Sequence, residues 1–226
     1  MAKSPATRPA LRTPPPDLKE RLIAATEKLL ASQGLGCVST RDIAKEANVA
    51  EGALYHHFGD KAELILSVVL QQLGDFPEVL QSLPLRIGEN TVQKNLETVL
   101  ESAFAFHHRI APLVCSLFAD QELLAKVRGI MAERSMGPAR SAFAISAYLR
   151  AEQQLGRVSP SAVPETIAEL MLAITFNRAM QDHFFFGGAE GDTKAHRKLR
   201  EAVRALMVGL QPGEDEERAA AKGSRK

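Results

Sequence analysis

The 226-residue chain contains no tryptophan and only 2 tyrosines and 2 cysteines. Cys37 and Cys115 lie far apart and lack the close spacing of a metal or redox pair, so each reads as a buried thiol. Long apolar runs are missing too. No stretch approaches the roughly 18 residues needed to span a membrane, and the N-terminus lacks the apolar core of a signal peptide. A cytoplasmic protein is therefore expected. There is no glycine-rich phosphate loop with its lysine, no paired-cysteine metal motif, no internal repeat and no strand-like alternation. What is present is a hydrophobic content of 45%, ample for a core that must be aliphatic and phenylalanine-based, and a net charge of +1 that says little about partners. The apolar residues recur at helical spacing nearly throughout, so the chain reads as all-α.

Residues 39–61 carry the densest local signal. Ser39 is placed to cap a helix, with Asp42 three residues on completing a capping box. Ile43, Ala44 and Ala47 share one face. Asn48 stands where the chain must turn, and asparagine tolerates the left-handed conformation. Val49 plugs the turn. A second short helix runs from about Glu51 to His57, with Leu54 and Phe58 facing inward, and Gly59 ends it. Asp60 then caps a further helix with Glu63 as its partner. Two short helices about a tight turn can be an ordinary hairpin, or the arrangement that lays its second helix in the DNA major groove. The outward face suits the groove. Gly52 and Ala53 are small enough for close approach, Tyr55 and His56 reach phosphates or base edges, and Thr40, Arg41 and Lys61 lie at helix N-termini that favour phosphate. Glu51, at the front of the second helix, either accepts a hydrogen bond from a cytosine amino group or simply suits the helix dipole.

This stretch resembles the DNA-binding motif of the TetR family of bacterial transcriptional regulators. The matching residues are Thr40, Ile43, Ala44, Ala47, Val49, Gly52, the run Leu54-Tyr55-His56-His57-Phe58, Lys61 and Leu64, within about residues 18–66. Two positions depart from the usual pattern. Asn48 replaces a commoner glycine, and Ala50 stands where serine or threonine often caps the recognition helix, which costs about 1 kcal/mol locally.

Around the motif the chain divides into four parts. Residues 1–16 are rich in proline, alanine and threonine. They carry Lys3, Arg8 and Arg12 with no acid, and read as a disordered basic arm that either touches phosphates or is only a tail. Residues 17–62 form the DNA-binding domain, its first helix capped by Asp17, packed through Leu18, Leu22, Ala25, Leu29 and Leu30, and stopped at Gly34 and Gly36. Lys19 and Arg21 near its start are placed for phosphates. Residues 63–210 form a larger helical domain, and 211–226 a disordered tail. The helix after Asp60 is the one mechanical link expected between the halves. Residues 75–91 read as a broken helix end and loop. Helices are expected over about 91–109 and 112–118, then from Asp120 to about Leu155 with a kink or break at Gly137-Pro138. A further helix spans about 162–186, apolar on every side around Leu170–Phe176 and therefore buried on two sides, and the last spans about 193–208.

The resemblance implies a function. Such a protein is a repressor that dimerises through its last two long helices and binds a palindromic operator. A small molecule entering among the helices of residues 91–186 releases it. Leu100, Phe104, His107, Phe118, Phe143, Phe176 and Asn177 are the expected cavity residues. Asn177 stands out as an amide interrupting an apolar face, where burial demands a hydrogen-bond partner. His107, His108, Asp182 and His183 are two pairs of potential metal ligands, but adjacent helical residues point about 100° apart, so at most one of each pair faces a given site. No metal and no cofactor are expected, and double-stranded DNA, a small-molecule effector and a second copy of the chain are the partners. A regulator controlled by a partner protein, an activator and a helical enzyme are the rival readings. For the last, no catalytic spacing is visible.

Overall fold

The computed structural model describes residues 17–188 and 191–210, so the N-terminal arm and the C-terminal tail lie outside the described residues. Everything described is helix, turn or loop. No described helix is long and apolar enough to cross a membrane.

Three helices form the N-terminal unit: α1 Leu18–Gln33, α2 Thr40–Glu46 and α3 Glu51–Phe58. Asp17 caps α1, and Leu22, Ile23, Ala25 and Leu29 on its inner face meet Ile43, Ala47, Leu54 and Phe58 in one apolar cluster. The next helix, α4 Lys61–Gln71, adds Leu64 and Val68 to that cluster, so the core of the N-terminal unit continues past residue 62.

The larger domain differs from expectation in three places. Residues 75–91 are not simply a loop. They hold α5, Phe76–Ser82, and a 3₁₀ turn, Leu83–Arg86, because Phe76 and Leu83 are buried in the main core. The two helices expected over 91–118 are one 26-residue helix, α6 Val92–Leu117, which runs straight through Pro112. A proline lacks the N–H that would bond the carbonyl four residues back. Here that carbonyl belongs to His108, and the Nε2–H of His183 donates to it at 2.7 Å. The usual loss is offset from another helix. Finally, of the kink or break expected at Gly137-Pro138 the structure shows a break, so the run from Asp120 to Leu155 is two helices: α7 Gln121–Glu133 stops, Gly137 takes φ 122°, and α8 Pro138–Gln154 starts afresh.

Two long helices complete the domain, α9 Pro164–Phe186 and α10 Gly191–Leu210. Leu96, Leu100 and Ala103 of α6, Ile145 and Leu149 of α8, Ala168, Met171 and Ala179 of α9, and Leu199 and Val203 of α10 fill the main core. At its edge lies a buried polar knot. Glu152 is wholly buried, accepts the Gly88 N–H at 3.2 Å and faces the Arg157 guanidinium at 3.2 Å. Asn95 donates to the Tyr148 hydroxyl at 2.9 Å and to the Glu89 carbonyl at 3.1 Å. This knot pins the turn before α6 against α8.

A third apolar cluster joins the two units: Leu35, Ala62 and Ile65 from the N-terminal side, and Leu117, Leu123 and Val127 from α6 and α7. Arg134 after α7 also pairs with Glu63 at 2.5 Å, and Arg109 of α6 donates to the Gln72 carbonyl at the end of α4 at 2.9 Å. The expectation that α4 alone links the halves is therefore corrected. The end of α6 and the whole of α7 bear on the DNA-binding unit directly.

Candidate nucleic-acid interface

The local chemistry of the α2–turn–α3 hairpin follows from its residues. Ser39 Oγ accepts the Asp42 N–H at 3.2 Å, and Asp42 accepts the Ser39 N–H at 3.1 Å. The Ser39 hydroxyl, donating to Asp42 Oδ2 at 2.5 Å, and then the Ser39 N–H hold the Asp42 carboxyl below the usual carboxylate range. Asn48 adopts φ 54°, the left-handed conformation its side chain tolerates. The Ala47 and Asn48 carbonyls at this turn are taken by the Arg21 guanidinium at 2.6 and 3.2 Å. Arg21 is thus a clamp on the turn rather than a flanking phosphate contact. Lys19 stays exposed, with its ammonium 5.9 Å over the Phe58 ring. Neither arrangement is visible in local sequence, because the partners lie far along the chain.

The outward face of the hairpin presents most of the expected residues. Arg41, Gly52, Tyr55 and His56 are exposed, and Tyr55 keeps 49% of its surface open. A side chain at Gly52 would meet nothing within 4 Å, so the helix surface there is bare backbone. Ala53 is half-buried and Ala50 supplies no cap, as its side chain must. Thr40 is half-buried. Its hydroxyl donates to Glu51 Oε1 at 2.8 Å and lies 3.3 Å from the Tyr55 hydroxyl. Lys61 differs from the others: its ammonium is bound to the Val38 carbonyl at 2.6 Å, tying α4 to the segment before α2.

The expected cavity residues divide. Leu100, Phe104 and His107 are buried on α6, and Phe176 of α9 meets the His107 ring edge-on at 5.6 Å between centroids. Thr175 completes this group. Its hydroxyl donates to the Leu172 carbonyl at 2.8 Å, so the 2.9 Å contact with His107 Nδ1 requires that nitrogen to carry its proton. Burial pushes the His107 pKa down to about 4, and the ring is neutral near pH 7. Three residues stand elsewhere. Phe118 and Phe143 are 64% and 68% exposed, because Phe118 caps the end of α6 and the inner face of α8 is already occupied by Ile145, Tyr148 and Leu149. Asn177 is also exposed, accepting from Gln181 at 2.9 Å. The buried polar residue of α9 at this level is Thr175, one that periodicity could not distinguish on a helix apolar all round.

The two histidine pairs separate as their helical angles require. His107 faces Thr175, while His108 Nε2 bonds the buried Asp182 at 2.6 Å and stacks near His183 at 4.3 Å. Among the described residues no cluster of His, Cys, Asp or Glu has the geometry to hold a metal. Of the cysteines, Cys37 is exposed, which corrects the expectation of burial, and Cys115 is half-buried against Met180.

Residues 22–68 match the family model described as bacterial regulatory proteins, tetR family. Over most of its length the chain is similar to the HTH-type transcriptional regulator UidR of Escherichia coli K12, at 24% identity over 85% of this chain and 92% of that one. It is similar to the HTH-type transcriptional repressor KstR2 of Mycolicibacterium smegmatis at 27% identity, over 50% of this chain and 52% of that one. Among solved structures, a TetR transcription regulator from Haloarcula marismortui superposes with a TM-score of 0.64 at 15% identity, covering 86% of this chain and 99% of the other.

Proposed function

We propose that this TetR-type helix-turn-helix transcriptional regulator is a repressor that holds a palindromic operator as a homodimer and is released by a small-molecule effector. The observation that carries the proposal is the single exposed face on which α2 and α3 present Thr40, Arg41, bare Gly52, Ala53, Tyr55 and His56. Small residues at the centre let the backbone approach base edges, and polar groups at the margin meet phosphates.

Dimerisation is supported by α9. Its inner side is buried in the core, yet its outer side exposes Thr166, Leu170, Ala173, Asn177 and Phe184 at helical spacing. Leu170 is 46% open to solvent. Leu170, Ala173 and Phe184 on this flank are apolar surface that a partner would cover, and a second copy related by two-fold symmetry would set two α3 helices for successive major grooves. The effector reading rests on the packed group of Leu100, Phe104, His107, Thr175 and Phe176, apolar surroundings with one neutral imidazole and one hydroxyl that a ligand parting α6 from α9 would meet. Since α6 runs from that group to the apolar seam under α4, a ligand that displaces α6 also moves the DNA-binding unit. It must prefer the DNA-incompetent arrangement by about 1–3 kcal/mol to act.

The test is in-vitro selection of duplexes followed by stoichiometry and release. Enrichment of an inverted repeat bound by two protomers, and release by members of a small-molecule panel, is the expected result. Enrichment of single half-sites by a monomer would refute the dimer, and a protein that no small molecule releases would favour control by a partner protein.

A further inference from the structure

We propose that Glu51 is the residue by which the recognition helix selects cytosine, and that the hydrogen-bond chain Tyr55–Thr40–Glu51 holds its carboxylate in position to do so. The proposal rests on the DNA-binding reading above.

The direction of the chain can be worked out. A carboxylate only accepts, and a threonine hydroxyl has one hydrogen. With Thr40 Oγ1 donating to Glu51 Oε1 at 2.8 Å, the 3.3 Å contact between Thr40 Oγ1 and the Tyr55 hydroxyl must have Tyr55 as donor. Both hydroxyl hydrogens on this face therefore point inward along the chain. Thr40 thus holds Glu51 Oε1 in place, and the second oxygen of the carboxylate keeps lone pairs with which to accept from a base. That carboxylate, at the first position of α3, is repelled by phosphates and needs a donor in the groove.

The major-groove edges decide which base supplies it. Guanine offers two acceptors there, and thymine an acceptor and a methyl group. Adenine has an amino group, but its N7 acceptor lies alongside and opposes a carboxylate. Cytosine presents only the N4 amino donor. Cytosine facing Glu51 is thus favoured, and the other bases are opposed. Ala50 strengthens the dependence: with no side-chain cap on α3, the Thr40–Glu51 bond ties the start of that helix to α2.

The test is binding-site selection by sequencing with wild type, Glu51→Gln and Glu51→Ala in parallel, followed by fluorescence anisotropy on the wild-type duplex and a scrambled one. Glutamine keeps the length and an oxygen that accepts from Thr40, so this variant retains the fold. The wild type is expected to select cytosine at one position of each half-site. Glu51→Gln shifts that position toward adenine, whose N6 and N7 a carboxamide pairs with together. Glu51→Ala loses preference there, and the ratio of specific to scrambled affinity falls by about tenfold in both variants, the scale of one mismatched base pair. If all three proteins select the same bases with the same affinity ratio, or lose affinity for both duplexes equally, Glu51 does not read sequence and the proposal is overturned. If wild type itself enriches no duplex, the DNA-binding reading falls, a result distinct from the first.

Discussion

Buried at 8% exposure against Thr175 and Phe176, His107 makes the stability of the larger domain depend on pH in a calculable way. Burial lowers its pKa from 6.5 to about 4. In the unfolded chain the ring takes up its proton near pH 6.5, whereas in the folded chain it resists until about pH 4. Between those values the unfolded state binds more protons, so stability falls as pH falls through the window. It is fully present above about pH 6.5 and levels off below about pH 4. A gap of about 2.5 units at 1.36 kcal/mol per unit gives a loss of about 3 kcal/mol from this one group. Other groups titrate in the same range, so the contribution is read as a difference. Urea unfolding of wild type and His107→Gln is followed by circular dichroism from pH 7.5 to 4, at one protomer concentration. The wild type should lose about 3 kcal/mol more than the variant across the window. The variant retains an amide that donates to Thr175, and its own stability should vary less steeply. A difference that stays constant with pH would show that His107 is hydrated or charged in the folded protein, and the assignment of its Nδ1 proton would fall with it.

Other perturbations separate the parts of the fold. Arg21→Ala leaves the Ala47 and Asn48 carbonyls without their donor. It should cost about 1–2 kcal/mol in thermal unfolding and weaken operator binding, although Arg21 need not touch DNA. Glu152→Ala removes the carboxylate from the Arg157 guanidinium and the acceptor from the Gly88 N–H and should cost about 3 kcal/mol, measured by denaturant titration. Leu170→Glu places a charge on the outward stripe of α9. Sedimentation should then show monomers that keep their helical signal, and an unchanged dimer would remove α9 from the interface.

The helix-turn-helix was legible because its determinants are local. The Ser39–Asp42 box, the left-handed Asn48, and Leu54 with Phe58 one turn apart all act within a few residues, and each takes its expected geometry. Features that depend on distant partners were not legible. Pro112 promised a break, and His183 on another helix offsets it by donating to the carbonyl that Pro112 leaves open. Arg21, Lys19 and Lys61 are basic residues near a DNA-facing surface, and by composition alone each suits phosphate. The turn carbonyls and the Val38 carbonyl claim Arg21 and Lys61 instead, and Lys19 lies over the Phe58 ring. On α9 the sequence is apolar on every side, so periodicity could not say which flank faces the core. Asn177 was therefore expected inside, where Thr175 stands.

The most direct test of the DNA-binding claim is fluorescence anisotropy of wild type and Tyr55→Ala against the selected duplex over a salt series. Tyr55 is half exposed on α3 and packs into neither core, so its loss should leave the fold intact. Wild type should bind tightly, with affinity falling steeply as salt rises because phosphate contacts release counterions. Tyr55→Ala should bind about tenfold or more weakly at every salt concentration. Equal binding by the two proteins would show that this face of α3 does not meet DNA, and would contradict the interface described here.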